Sequence, residues 1–218
     1  MKFSLTIMFV TLLSVFHTLN AQNNEIKKKI GFGVRVGVTS ITADNLTKTG
    51  QKMGGVSSMD FHYEAMDAIE LLAEASYGYN DVNFRLGEAV VMRIFERSFT
   101  AGFRFYPKKL NFGKLTPFLS FGAGYYEWFF TNNSSDLFYS SQDIQTFKGE
   151  ELSFHSIGLN AGLGIRYNLS HKFAVDGLFR YHFIQSKDNR GKFGTDDDNE
   201  QNFDIGLGFV FLLPVGQQ

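Results

Sequence analysis

From Ile30 onward, apolar and polar positions alternate with a period of two, the mark of strands whose two faces meet different surroundings. The first run sets Ile30, Phe32, Val34, Val36 and Val38 against Gly31, Gly33, Arg35 and Gly37. The next two set Met59, Phe61 and Tyr63 against Ser58, Asp60, His62 and Glu64, then Ile69, Leu71, Ala73 and Ala75 against Glu70, Glu74 and Ser76. Phe99, Phe103 and Phe105 alternate with Ser98, Gly102 and Arg104, and Leu119, Phe121 and Tyr125 with Ser120, Gly122 and Gly124. Leu159, Leu163 and Ile165 alternate with Gly158, Gly162 and Arg166. The last two runs set Phe173, Phe179 and Tyr181 against Asp176, Arg180 and His182, and Ile205, Leu207, Phe209 and Phe211 against Asp204, Gly206 and Gly208. The pattern predicts eight strands, each about the 9–11 residues that cross a bilayer at a tilt. The intervals at 39–54, 80–90, 131–152 and 186–201 are the longer ones, and those at 66–68, 107–116 and 168–172 are shorter. Short turns at one end and long loops at the other predict an all-β fold, an eight-stranded antiparallel up-and-down transmembrane β-barrel.

Alternation alone leaves open which face points outward, because a soluble lipocalin-like barrel alternates with its apolar face inside. Composition decides the matter. The chain holds 25 Phe and 22 Gly in 218 residues, yet its mean hydropathy is slightly negative. An eight-stranded barrel encloses a space just wide enough for side chains to fill, so this many large aromatics cannot fit within it. Glycine and charge can. The lumen is therefore expected to hold the acids Asp60, Glu64, Glu70, Glu74, Asp176 and Asp204. Facing them would be Arg35, Arg104, Arg166 and Arg180, with His62 and His182. Buried charges of this kind have to pair and be hydrogen-bonded, which predicts a salt-bridged plug; a gate or ion path is the other use of such a network.

The N-terminus reads as an address label. Lys2, an apolar stretch from Phe3 to Phe16 and the small Ala21 predict a cleaved secretory signal over residues 1–21, leaving a barrel domain over 22–218. No later segment is apolar for long enough to form a spanning helix. Lys plus Arg is 21 and Asp plus Glu is 22, a balance that argues against a nucleic-acid partner. With 0 Cys, disulfides, thiol catalysis and cysteine zinc sites are excluded.

The last run, Asp204 to Phe211, fits a polar-x-Gly-x-x-aromatic-x-aromatic pattern through Asp204, Gly206, Phe209 and Phe211. It resembles the C-terminal signal by which outer-membrane barrels are recognised for insertion, although the chain runs on through Pro214 to Gln218. Pro117-Phe118-Leu119-Ser120-Phe121-Gly122-Ala123-Gly124-Tyr125, preceded by Phe103-Arg104-Phe105-Tyr106-Pro107, is similar to a Pro-aromatic-Leu-x-x-Gly-x-Gly-Tyr strand and its approach. On these motifs the chain resembles the small outer-membrane β-barrel family of Gram-negative bacteria, the OmpA/OmpX-like and PorT-like group. The resemblance implies an outer-membrane location, contact with membrane lipid and lipopolysaccharide, and insertion by the barrel-assembly machinery. It implies no shared catalytic residues, cofactor or metal. The expected role is non-enzymatic, structural or interactive at the cell surface, with a surface or secretion-system protein as partner. Narrow porin-like transport of small solutes is the alternative.

Other groups bear on chemistry. Ser153 and His155 share a face near a strand end, which makes them candidates for a lipid-modifying nucleophile and base at the outer rim, but no acidic orienter is evident. Arg93 and Arg97 fall on the Phe95/Phe99 face, and at the outer rim they would suit lipopolysaccharide phosphates. Asp196-Asp197-Asp198-Asn199-Glu200 is dense in oxygen but lacks the spacing of an EF-hand loop and reads as a solvated acidic loop. Tyr125, Tyr126, Trp128, Phe129 and Phe130 are expected to form an interfacial aromatic girdle.

Overall fold

The computed structural model describes residues 28–42, 53–86, 88–107, 110, 112–131, 146–147, 150–151, 153–185 and 200–215. Eight of its strands close one barrel. They are β1 (Lys28–Thr42), β2 (Gly54–Met66), β3 (Ile69–Leu86), β4 (Glu88–Phe105), β5 (Leu115–Thr131), β6 (Ser153–Asn168), β7 (Phe173–Gln185) and β8 (Glu200–Val215). Every neighbouring pair is antiparallel, and β1 pairs with β8 from Lys28↔Val215 to Thr42↔Gln201, so the sheet has no edge. Closure is what permits a sheet in lipid, where an unpaired backbone N–H or C=O would find no water. A two-residue ribbon, Thr146–Phe147 with Glu150–Glu151, lies between β5 and β6 in sequence.

The burial is inverted relative to a soluble domain. Phe32, Val34, Val36 and Val38 are exposed, whereas Arg35 and Thr39 on the opposite face of β1 are buried. On β6, Ile157, Leu159, Leu163, Ile165 and Tyr167 are exposed and Asn160 and Arg166 buried. Arg104 and Arg180 are among the largest fully buried side chains. The lipid-facing run of β6 from Ile157 to Tyr167 rises about 33 Å along the strand. At a tilt near 40° that gives a band about 25 Å tall, the thickness of an outer-membrane hydrocarbon zone.

The short connections behave as expected. Asp67 and Ala68 turn the chain between β2 and β3 beside a register shift between Glu64 and Met66. Gly113 carries the positive φ of 73° that the turn before β5 requires. Ser170 Oγ accepts the backbone N–H groups of Lys172 and Phe173, each at 3.2 Å, in the turn between β6 and β7.

The strands are longer than the alternation suggested, at 13 to 18 residues. The interval 80–90 is not a loop: β3 and β4 stay paired as far as Leu86↔Glu88. Once outside the apolar band a strand has no reason to alternate, so the pattern fades before the hydrogen bonding does. The expected leader, most of the long intervals 39–54, 131–152 and 186–201, and Asp196 to Asn199 lie outside the described residues; Glu200 is the first residue of β8.

Candidate functional site: a charged lumen

Two layers of paired charge stand inside the barrel, and a further buried acid, Glu96, accepts from Asn202 at 2.6 Å. The layer nearer the short turns holds Asp60, His62, Glu70, Arg104, Arg166 and Asp176. Arg166 grips Asp176 from Nε at 2.7 Å and from Nη2 at 2.8 Å, and reaches Glu70 from Nη1 at 2.7 Å. Arg104 Nη1 meets Asp176 at 2.6 Å. His62 bridges two acids, with Nε2 on Asp60 and Nδ1 on Glu70, both at 2.6 Å. Carboxylates only accept, so the ring has to carry both protons. Three carboxylates then stand against two guanidinium groups and one imidazolium. The layer is neutral.

The second layer holds Arg35, Glu74, Arg180, His182 and Asp204. Glu74 accepts from Arg35 at 2.5 Å and from Arg180 at 2.9 and 2.7 Å. Asp204 accepts from Arg180 Nη2 at 2.9 Å and from His182 Nε2 at 2.8 Å. The other ring nitrogen, Nδ1 of His182, faces the Tyr126 hydroxyl at 2.8 Å. Asn160 donates to that same oxygen at 3.3 Å, and a neutral His182 that accepts from Tyr126 at Nδ1 and donates to Asp204 from Nε2 satisfies every contact in this hydrogen-bonded chain. Two carboxylates balance two guanidinium groups, and this layer is neutral as well. Bidentate arginine geometry and complete pairing are what allow ion pairs to persist at this depth.

The small residues make room for the large ones. A Cβ on Gly33 would intrude on the Asp60 carboxylate, and one on Gly164 on the Phe118 ring. Phe118 lies under Arg104, 4.6 Å from its guanidinium carbon, and packs on Tyr106 at 5.5 Å, forming an aromatic floor. Arg104 Nε, Ser120 Oγ, Trp128 Nε1 and Asp204 Oδ1 are buried without a hydrogen-bond partner among the described residues.

Eleven of the twelve residues expected in the lumen network take part in these two layers. Glu64 is the exception: half-buried beside the β2 irregularity and influenced by Lys29, it joins none of the ion pairs described. The girdle expectation is corrected. Tyr126 and Trp128 are buried, stack on each other at 6.3 Å and roof the second layer, whereas Tyr125 is exposed and Phe129, on the same face as Tyr125, is covered by Arg97. Consecutive residues on a strand cannot share a face, so aromatics at both odd and even positions of β5 had to divide.

Outside the barrel, the register lines up Tyr77, Arg97, Glu127 and His155 across β3 to β6, marking the upper border of the apolar band. Arg97 pairs with Glu127 at 2.7 Å and lies over Phe129. Arg93 is buried, paired with Asp81 at 2.7 Å and placed over Tyr79. The acidic neighbour missing from the sequence reading of Ser153 and His155 is Glu127, directly opposite His155 on β5. Arg97 holds that carboxylate, however, and His155 lies on the Tyr125 ring at 6.0 Å. At the C-terminal end, Phe209 is exposed, and Phe173 packs on Phe209 at 5.6 Å and on Phe211 at 5.1 Å.

Comparison with known proteins agrees with this architecture. Residues 8–211 match the family model described as outer membrane protein beta-barrel domain. Neisserial surface protein A superposes with a TM-score of 0.57 at 11% identity, over 84% of this chain and 96% of that one. Ail, the attachment invasion locus protein of Yersinia pestis, solved in complex with the heparin analogue sucrose octasulfate, gives 0.48 at 14% identity, over 85% and 100%. OprG from Pseudomonas aeruginosa gives 0.42 at 19% identity, over 89% and 99%. No curated protein matches the chain in sequence.

Proposed function

This chain belongs to the outer membrane protein beta-barrel domain family, and from that premise we propose that it is a non-enzymatic barrel with a plugged lumen, acting at the cell surface through its extracellular face. The observation that carries the plug is the pair of neutral layers, in which Arg104 and Arg180 are only 1% exposed and each bonds acids reached from other strands. An ion entering this space would have to break bidentate pairs at both levels. In a planar bilayer the purified chain should give no discrete conductance steps. Stable single-channel steps would refute the plug and restore narrow solute transport.

The surface role is supported by the sorting of connections, because the long intervals between β1 and β2, between β5 and β6 and between β7 and β8 all fall at one end of the barrel. Arg93 and Arg97 stand at that end, and we assign them to lipopolysaccharide phosphates at the rim, where a phosphate would compete with Asp81 and Glu127 for the guanidinium groups. Arg93→Gln with Arg97→Gln should weaken lipopolysaccharide binding while leaving the barrel folded. Asp204, Gly206, Phe209 and Phe211 are assigned to recognition by the insertion machinery, Asp204 serving the lumen as well. A non-enzymatic role is favoured by the engagement of Glu127 with Arg97, which leaves Ser153 and His155 without an orienting acid among the described residues. Lipid A from cells overproducing the chain should keep an unchanged mass spectrum; a deacylated product lost in Ser153→Ala would overturn this assignment.

A further inference from the structure

The short-turn end of the barrel faces the periplasm, because outer-membrane barrels keep their short connections there. Its charge is uneven. Lys114, in the turn before β5, and His171 and Lys172, in the turn before β7, are all exposed. In sequence, Lys108 and Lys109 precede the first of these turns. Among the described residues of this end the exposed acid is Asp67, in the β2–β3 turn on another part of the rim. Each basic turn is tied to the strand beside it: the Lys114 carbonyl accepts from Asn168 N, at the end of β6, at 2.8 Å, and the Lys172 carbonyl accepts from Leu212 N, on β8, at 2.7 Å. Lys114 and Lys172 are thereby held on one arc running from β5 through β6 and β7 to β8.

Apolar side chains stand level with these lysines. Phe112 is 68% exposed and Leu169 49%, both in the turns themselves, and Leu115, Tyr167, Phe173 and Leu213 continue as exposed apolar surface on the strands above. A cationic rim on the edge of a hydrocarbon-facing wall matches a molecule with an anionic head and an apolar tail.

We propose that this arc binds anionic phospholipids of the periplasmic leaflet, with the headgroup phosphate on Lys114 and Lys172 and an acyl chain along Phe112, Leu115 and Leu169. The inference rests on the outer-membrane placement of the chain and is independent of whether the lumen conducts. Peptidoglycan would also meet lysines with carboxylates, but a sugar polymer has no acyl chain to run along Phe112, Leu115 and Leu169.

The test uses the full chain reconstituted in nanodiscs of phosphatidylethanolamine with a minority of phosphatidylglycerol, followed by mass spectrometry of the lipids retained on extraction. Phosphatidylglycerol should be retained in excess of its share, and Lys114→Gln with Lys172→Gln should lower that excess by about fivefold per lysine. Raised salt should lower it in the original chain and much less in the double variant. Phe112→Ser should reduce retention of both lipids alike. The substituted positions are exposed, and a preserved heat-dependent gel shift verifies that the barrel is folded. Retention blind to the headgroup, or equal excess in chain and double variant, overturns the proposal. Lysine-dependent binding of soluble peptidoglycan fragments with no phosphatidylglycerol excess would overturn it too, and would make the face a cell-wall contact.

Discussion

Glu74→Gln is the sharpest probe of the lumen. Glu74 has a side chain 1% exposed and is the acceptor for both Arg35 and Arg180. Glutamine keeps the shape and one acceptor oxygen but removes the charge, so the second layer passes from neutral to a net +1 with Asp204 as the only remaining acid. Removing one partner of a buried pair leaves an uncompensated charge and costs about 3–5 kcal/mol. With a urea dependence of about 2 kcal/mol per molar, the unfolding midpoint should fall by about 2 M. The single tryptophan makes this measurable without a label: Trp128 is buried and stacked on Tyr126 over that layer. Urea titrations of the barrel in detergent, followed by Trp128 fluorescence and by gel mobility with and without heating, report the same transition if it is two-state. Arg35→Gln with Glu74→Gln returns the layer to neutrality around Arg180 and Asp204 and should recover part of the loss, a coupling of about 0.5–3 kcal/mol. Glu64→Gln, outside both layers, should shift stability by no more than about 0.5 kcal/mol. If Glu74→Gln is no worse than Glu64→Gln, or the double variant no better than the single, the layers are not charge-coupled.

Three further outcomes follow from the same geometry. Leu159→Arg places a cation on the lipid face of β6 within the apolar band and should cost about 2–4 kcal/mol in bilayer folding titrations, whereas His155→Arg at the band's upper border should cost about 0–1 kcal/mol. Gly164→Leu drives a side chain into the Phe118 ring and should destabilise by about 1–3 kcal/mol, read from the same urea titration. Phe209→Ala with Phe211→Ala should slow assembly into vesicles carrying purified insertion machinery, measured as protease-protected barrel over time, more than it slows unassisted folding in detergent; equal slowing would count against a recognition role for these residues.

Local alternation and side-chain volume were enough to set the strand period, the number of crossings, the outward face and most of the charges turned inward, Glu96 being the buried acid they missed. These are local or volumetric properties. A period of two needs only consecutive residues, and the outward face follows from the bulk of Phe against the width of an eight-stranded lumen. Strand-neighbour ion pairs were nearly within reach as well, since Arg166 stands opposite Asp176 and Arg180 opposite Asp204 in register. Only the closed barrel decided the rest. Arg166 meets Glu70 and Arg180 meets Glu74 across the lumen, from strands that are not neighbours, and no spacing along the chain encodes which acid stands at which height. That height is set by the stagger accumulated in closing the sheet, which also puts Tyr126 and Trp128 over the second layer, places Glu127 opposite His155, and leaves Glu64 outside the network. The alternation specifies a face; the closure specifies a partner.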